Sequence, residues 1–351
     1  MNVLFLNHPE SDYGGAMLWN GLCETLGAEH VYDWPLKRSY HGETHNYTLP
    51  SGDPGCTCPS PWVPAWPYAY ESEDVECIND LISSKFFDFV VVESLRADAL
   101  YAFDFFSGLI HSANLPVVVH DGEDFSRVPW NRLNEIKPRV FLKRELIDDG
   151  SLRSPSPDSE ENGIRIVGFP FSAASLAIDE IAPEDVGDEP YLVTFSAGAT
   201  YPLRQAIADA LRDRYGDKKV YIAISPDSSR SGSESNALLP WWNYIARMKS
   251  SLVGVSVRGF GWDSVRFWET ALSTTLVTDK RPILFTNQYQ HGHNAYVYEE
   301  TPENCIRVVD EALSDIDRLG EIRERCIAHT RTYHTNEARA KTLLSIMESY
   351  C

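Results

Sequence analysis

The stretch Arg258-Gly-Phe-Gly-Trp-Asp-Ser-Val-Arg-Phe-Trp-Glu269 combines cations, glycines and carboxylates at a junction between elements. An apolar run, Ser251 to Val257, precedes it and reads as a buried strand. Val265, Trp268 and Leu272 follow at helical spacing. Gly259, Phe260, Gly261 and Trp262 therefore form a strand-to-helix turn. Asp263 or Ser264 can cap the new helix by accepting hydrogen bonds from its first N–H groups. A helix start favours an anion. Arg258 and Arg266 add full charges, and Glu269, one turn in, can accept hydrogen bonds from sugar hydroxyls. This chemistry suits a phosphate with a sugar attached. The same residues also describe a capped core helix beside a surface arginine.

A second group lies in the first half. His120-Asp121-Gly-Glu123-Asp124 ends a buried strand, and ligands bind at that edge of parallel sheets. A carboxylate there can deprotonate a hydroxyl. Asp121 is the expected base, with Glu123, Asp12 and His120 as alternatives. Carboxylates at this spacing also suit magnesium or a simple turn. Gly14 and Gly15 follow the first strand and allow close backbone approach to a phosphate or sugar. Lys143 and Arg144 end another strand and can touch a diphosphate or an anionic acceptor. Arg204 stands in a first helical turn, where a cation opposes the dipole and an anionic partner would offset that cost. In the proline-rich segment 59–70, Trp62, Trp66 and Tyr68 can stack on an acceptor, or can pack an inserted flap onto its domain. His41, His45, Cys56 and Cys58 form a possible zinc set, although Cys-x-Cys is tight for tetrahedral ligation. His291 and His293 have no acidic or cysteine neighbour in sequence and read as a loop.

These groups need elements to position them. Val3–Asn7, His30–Tyr32, Phe89–Val92, Pro116–His120 and Val140–Leu142 read as strands, separated by helices at 16–26, 74–84 and 97–112. Residues 35–72 form an irregular insertion and 151–162 a mobile polar loop. An acidic linker spans 172–190. A second alternation runs through strands 191–195, 220–224, 252–257 and 275–278, with helices 201–214 and 238–249 between them. From Glu303 the chain reads as helix. Continuous Val-rich strands alternating with helices indicate parallel sheets covered on both faces.

The chain has 351 residues, 43% hydrophobic, with a formal charge of −20. That length suits two domains. The acid excess disfavours nucleic acid as a partner. No apolar run is long enough to span a membrane. The start reads as a strand rather than a signal peptide, so a cytoplasmic location is expected. The seven cysteines are scattered. Cys23, Cys77, Cys305 and Cys326 look like buried small hydrophobes.

Two Rossmann-like halves, the late anion-binding turn and the helical tail together resemble the GT-B glycosyltransferases, and among them the spore-maturation and exostosin-like family. Arg258 to Glu269 looks like that family's donor motif. Val193-Thr-Phe-Ser-Ala-Gly198 with Tyr201-Pro-Leu-Arg204 looks like its first C-terminal strand and loop, and His329 to Leu344 like its closing helices. The resemblance implies two Rossmann-like α/β domains whose parallel sheets face a cleft. An acceptor domain would span 1–171, a nucleotide-sugar donor domain 191–334, and a last helix, 335–351, would pack back on the first domain. Gly198 would join the donor site. A sugar would pass from a nucleoside diphosphate to a hydroxyl acceptor, with no cofactor and no metal. Rival readings are transfer to a hydroxymethylated DNA base, nucleotide-sugar epimerisation, and a non-catalytic sugar-binding module.

Overall fold

The computed structural model describes residues 1–8, 13–41, 66–69, 75–150, 152–184, 191–225 and 241–350. Asp12, His45, Cys56, Cys58 and Trp62 lie outside the described residues. The chain divides into two compact units. The first comprises Met1–Ser172, Leu284–Thr286 and Asn336–Cys351, and the second Ala173–Ile283 and Asn287–Thr335.

The first unit contains β1 (Val3–Leu6), α1 (Tyr13–Leu26), β2 (Val31–Trp34), α2 (Val75–Ser83), β3 (Phe89–Val92), α3 (Ala97–Ala113), β4 (Val117–Asp121), α4 (Trp130–Ile136), β5 (Val140–Lys143), β6 (Asp158–Glu161) and β7 (Ile164–Gly168). Its sheet has the order β2-β1-β3-β4-β5-β7-β6. Every pairing is parallel except β6 with β7. Alternate strand side chains feed two cores, which is why the central strands β1 and β3 are apolar throughout. Val3, Phe5, Phe89 and Val91 pack with α1 residues, while Leu4, Leu6, Val90 and Val92 pack with α2 and α3 residues.

Part of the expected polar loop at 151–162 is strand. Asn162 and Gly163 take positive φ angles of 54° and 75°. They close a two-residue turn between the paired Glu161 and Ile164. An Asn-Gly turn of this kind matches the twist of flanking antiparallel strands.

The second unit contains α5 (Ser175–Asp179), β8 (Tyr191–Gly198), α6 (Pro202–Tyr215), β9 (Val220–Ser225), α7 (Trp241–Lys249), β10 (Ser251–Ser256), α8 (Val265–Ser273), β11 (Thr275–Asp279), β12 (Tyr296–Tyr298), α9 (Pro302–Leu313) and α10 (Ile316–Tyr333). Its five-stranded sheet, in the order β12-β11-β10-β8-β9, is parallel throughout. Residues 173–184, whose composition reads as the start of a linker, are part of this unit. Lys249 Nζ donates to the carbonyls of Ile178 and Ile181 at 2.7 Å each. Among the described residues no helix is long and apolar enough to cross a membrane.

The last helix, α11 (Asn336–Met347), belongs to the first unit and packs on α1. Gly21 makes that approach possible. A Cβ there would stand 2.1 Å from the Asn336 carbonyl oxygen, so backbone would have to move. Gly21→Ala is expected to lower unfolding free energy by about 1–3 kcal/mol. Denaturant titration checks this, and an unchanged midpoint would show that the helices tolerate separation.

Glu24 lies in the same helix pair. Burial raises its pKa to about 7, with Glu337 adding to the rise and a hydrogen bond from Asn20 opposing it. A raised folded pKa means that the folded chain holds the proton more tightly. Glu24's contribution is therefore full below its unfolded value of about 4.3. It declines as pH rises from there through about 7. Glu24→Gln should remove this decline, raising stability relative to wild type more at neutral than at acidic pH. Parallel pH–stability curves for the two proteins would contradict it.

Candidate functional site

In the second unit, the turn after β10 presents the start of α8. Ser264 holds the N-cap position with φ −145° and ψ 143°, yet its side chain makes no capping bond. Its Oγ is buried with no hydrogen-bond partner. Asp263, the other expected cap, instead accepts a hydrogen bond from Trp268 Nε1 at 2.8 Å. Ser264 therefore leaves the first turn of α8 without an N-cap side-chain bond, and the N–H groups of a helix start favour an anion.

Arg258 lies beside this turn. Its guanidinium carbon is 3.6 Å from the Trp262 ring centroid and 4.8 Å from that of Tyr201. These two rings hold the guanidinium by cation–π contact. The Arg258 N–H donates to Asp279 Oδ2 at 2.7 Å, tying the turn to the end of β11. Phe260, at the tip of the turn, is 73% exposed.

Two expected donor contacts have other duties. Glu269 is buried, accepting from Trp241 Nε1 at 2.6 Å and from Arg266 Nη1 at 2.6 Å. Its carboxylate joins α7 to α8 instead of meeting sugar hydroxyls. Arg204 is buried as well. It donates to the carbonyls of Arg258 at 2.8 Å, Gly198 at 2.8 Å and Val257 at 3.1 Å, and to Thr200 Oγ1 at 2.9 Å. Burial, followed by the charge of Arg281, pulls its pKa down to about 10. Arg204 is thus a clasp across the ends of β8 and β10 in place of a phosphate ligand. Gly259 leaves it room, since a Cβ there would sit 3.0 Å from Arg204 Nη2.

Asp279 and Arg281 belong to this site and were not anticipated. Arg281 Nε donates to Asp279 Oδ1 at 3.0 Å and Nη2 to Ser256 Oγ at 3.0 Å. Asp279 ends a buried strand, the same position that marked Asp121.

At the carboxyl edge of the first unit's sheet, charges pair with one another. Asp121 Oδ2 meets Lys143 Nζ at 3.0 Å, and Asp121 Oδ1 accepts from the Glu123 N–H at 3.0 Å. Glu123 pairs with Arg96, and Asp124 with Arg144. Lys143 and Arg144, expected to touch a diphosphate, are buried in these pairs. Asp121, Glu123 and Asp124 each face a cation, and no group of three potential metal ligands occurs among the described residues. His120 Nδ1 lies 3.1 Å from the Glu93 carbonyl oxygen.

Glu93, at the end of β3, is a further buried carboxylate that the sequence reading passed over. It accepts from Tyr40 Oη at 2.8 Å, from Lys37 Nζ at 3.0 Å and from the His8 N–H. It also explains Gly15, where a Cβ would lie 2.2 Å from Glu93 Oε1. Gly14 and Gly15 sit inside the first turn of α1, buried, so Gly15 makes room for Glu93 where a ligand was expected.

The aromatic insertion is described only in part. Trp66 packs against the core and donates from Nε1 to Asn20 Oδ1 at 2.8 Å. Tyr68 stacks on His41, with centroids 3.9 Å apart. Both rings are used within the first unit, against the acceptor-stacking expectation. His41 places Nδ1 3.0 Å from the Trp66 carbonyl oxygen and Nε2 3.2 Å from Asp33 Oδ1, so neither ring nitrogen is left for zinc. Cys23, Cys305 and Cys326 are buried free thiols, whereas Cys77 is only half-buried.

No family model and no curated protein sequence matches the chain. Solved structures do. Anabaena HepE in complex with UDP and glucose aligns with a TM-score of 0.55 at 11% identity, covering 99% of this chain and 100% of that one. The E. coli trehalose-6-phosphate structure bound with UDP-2-fluoro glucose gives 0.55 at 12% identity, covering 98% of each. A Burkholderia xenovorans α,α-trehalose-phosphate synthase (UDP-forming) in complex with glucose-6-phosphate gives 0.50 at 10% identity, covering 80% and 79%. At such identities the likeness establishes the fold, which is α/β with two parallel-sheet, Rossmann-like units of the GT-B class.

Arg204→Lys separates the clasp from a phosphate ligand. Lysine keeps the charge, but its three N–H groups sit on one nitrogen and cannot span the four acceptors that the guanidinium fork reaches from three. Loss of about 3 kcal/mol of stability is expected, on the scale of one or two buried charge-assisted hydrogen bonds. Denaturant unfolding reads it, and wild-type stability in the variant would mean the carbonyl contacts carry no load.

Proposed function

We propose that this protein is a glycosyltransferase that moves a sugar from a nucleoside diphosphate to a hydroxyl-bearing acceptor. The observation that carries the reading is the start of α8: a first turn that its N-cap Ser264 does not bond, the partnerless Ser264 hydroxyl and the stacked Arg258, at the carboxyl edge of a parallel sheet. The likeness to HepE, solved with UDP and with UDP-glucose, and to the E. coli trehalose-6-phosphate structure bound with UDP-2-fluoro glucose supports it.

On this reading the diphosphate lies at the start of α8, against Ser264 and the Gly259–Gly261 backbone, with Arg258 and Arg266 supplying charge. Trp262 and Tyr201 hold Arg258 flat, and Phe260 offers an exposed ring to the nucleoside. Arg204, Asp263, Glu269 and Gly198 shape this site from beneath. The acceptor oxygen attacks the sugar's anomeric carbon while the bond to the diphosphate oxygen breaks. The nucleoside diphosphate leaves with that electron pair, and the hydroxyl proton passes to a base. Asp121 is the proposed base. Lys143 and the Glu123 N–H hold it in place, and a carboxylate with two partners retains lone pairs for a hydroxyl. The helix start and the guanidinium groups stabilise charge on the leaving diphosphate.

Arg258→Ala tests the donor site. Losing a charge-assisted phosphate contact should weaken UDP binding by about 1.5–3 kcal/mol, roughly ten- to a hundredfold, with folding retained. Calorimetry with UDP and UDP-glucose measures this. Equal affinity in the variant would make the turn structural only, and UDP-glucose binding with no UDP release under any acceptor would leave a sugar-binding module.

A further inference from the structure

In the second unit's parallel sheet β12, β11 and β10 are neighbours, so their carboxyl ends lie side by side. Each delivers charge to that edge. Arg258 follows β10, Asp279 ends β11 with Arg281 soon after, and Glu300 follows β12. Cations and carboxylates match here, but the carboxylates are held very differently. Asp279 accepts from the Arg258 N–H at 2.7 Å, from Arg281 Nε at 3.0 Å and from Thr278 Oγ1 at 3.1 Å. Glu300 Oε1 is buried and, among the described residues, has no hydrogen-bond partner. Its ion pair with Arg258 Nη1 spans 3.9 Å, beyond hydrogen-bond range. The adjacent Glu299 is taken up by Lys280 at 3.2 Å.

Arg258 has donors to spare. Its Nη2 donates to the Phe260 carbonyl at 3.3 Å, and its buried Nε has no hydrogen-bond partner among the described residues. The Trp262 and Tyr201 rings fix the guanidinium through its face and leave its N–H groups unused. A phosphate oxygen within hydrogen-bond distance gains a charge-assisted bond that Glu300, at 3.9 Å, does not make. A diphosphate at the start of α8 would therefore win Arg258. It would also bring negative charge beside a half-buried carboxylate whose counter-ion it has taken. A carboxylate so placed lowers the repulsion by binding a proton.

We propose that Glu300 is the counter-ion that the donor's diphosphate displaces from Arg258, and that donor binding draws a proton onto the Glu300 carboxylate. This rests on the placement of the diphosphate in the reading above. The proton comes from the buffer, and the one covalent bond formed is the carboxyl O–H. Before a ligand arrives, burial already raises the Glu300 pKa, with Arg258 opposing, Asp279 adding to the rise and Arg281 opposing. The diphosphate raises it further. The bound protein then holds the proton more tightly than the free one. Donor affinity is accordingly greatest below the free protein's Glu300 pKa and falls as pH rises from there to the bound protein's value.

The test is calorimetry of the full-length protein with UDP-glucose, whose diphosphate has no terminal phosphate of its own to titrate. Titrations at one pH in buffers of different ionisation enthalpy count the protons exchanged, and a series across about pH 5.5 to 8 gives the affinity profile. Wild type is expected to show net proton uptake and an affinity that falls with rising pH. Glu300→Gln keeps the side chain's shape and removes its charge. It should abolish the uptake, flatten the profile and bind roughly three- to tenfold tighter than wild type at the upper end, the scale of a like-charge contact partly screened by solvent. A purely structural role for Glu300 would not change the proton count. UDP-glucose binding with no proton uptake in wild type, or with the same uptake in the variant, overturns the inference and leaves the donor site standing. No UDP-glucose binding by wild type overturns the donor site and this inference together.

Discussion

The carboxyl edge of a parallel sheet gathers strand-end carbonyls and the polar side chains of turns in a place largely shut off from water, and each of these groups needs a partner. Much of what surrounds the candidate sites answers that need. In the second unit, one guanidinium, Arg204, satisfies carbonyls from the ends of both β8 and β10. Asp279 takes up the Arg258 N–H and Arg281. In the first unit, Glu93 and Asp121 are held by Lys37 and Lys143. Breaking any of these pairs would leave a buried charge or carbonyl exposed to a low dielectric. The edge is therefore rigid before a ligand arrives, and the ligand is left with the groups the fold has not used.

This accounts for which parts of the molecule were legible in the sequence. Strand Phe89–Val92 and the run Val117, Val118 and Val119 were readable because the body of a strand buried on both faces must be apolar, and helices 97–113 and 265–273 because one stripe recurs at helical spacing. The β6–β7 hairpin was missed although Asn162-Gly163 is a strong turn signal, since the charged residues of β6 mask the alternation. At the sites, position was legible and duty was not. A charge just past a strand end was recognisable at Asp121, and the same rule would have found Glu93 and Asp279. Nothing local in the sequence tells a carboxylate that awaits substrate from one that meets Lys143, because the two residues are brought together only when β4 and β5 pair in register, Asp121 beside Lys143.

The glycines carry the same lesson. Gly15 and Gly259 lie where glycines that approach a phosphate would lie, yet each has a protein neighbour that a Cβ would strike, Glu93 in one case and Arg204 in the other. Their small size serves buried charges that in turn fix the turns. Close approach is a property of the backbone position, and the sequence does not say what approaches.

The start of α8 shows the reverse situation. Two residues able to cap it stand at the right place, and the fold gives each of them a different situation. Asp263 is drawn away by the indole N–H of Trp268, which is fully buried and without that bond would lose a hydrogen bond in the core. Ser264 occupies the cap position, but its hydroxyl is left without a partner. A helix that forgoes its cap gives up about 1 kcal/mol of stability. Such a cost is tolerable in a helix whose residues from Phe267 to Ser273 are all buried, because packing and not capping holds it in place. The local deficit and the tertiary surplus are two sides of one arrangement. Burial of the helix body frees its first turn from a structural duty, and that freedom makes the turn available to an anion.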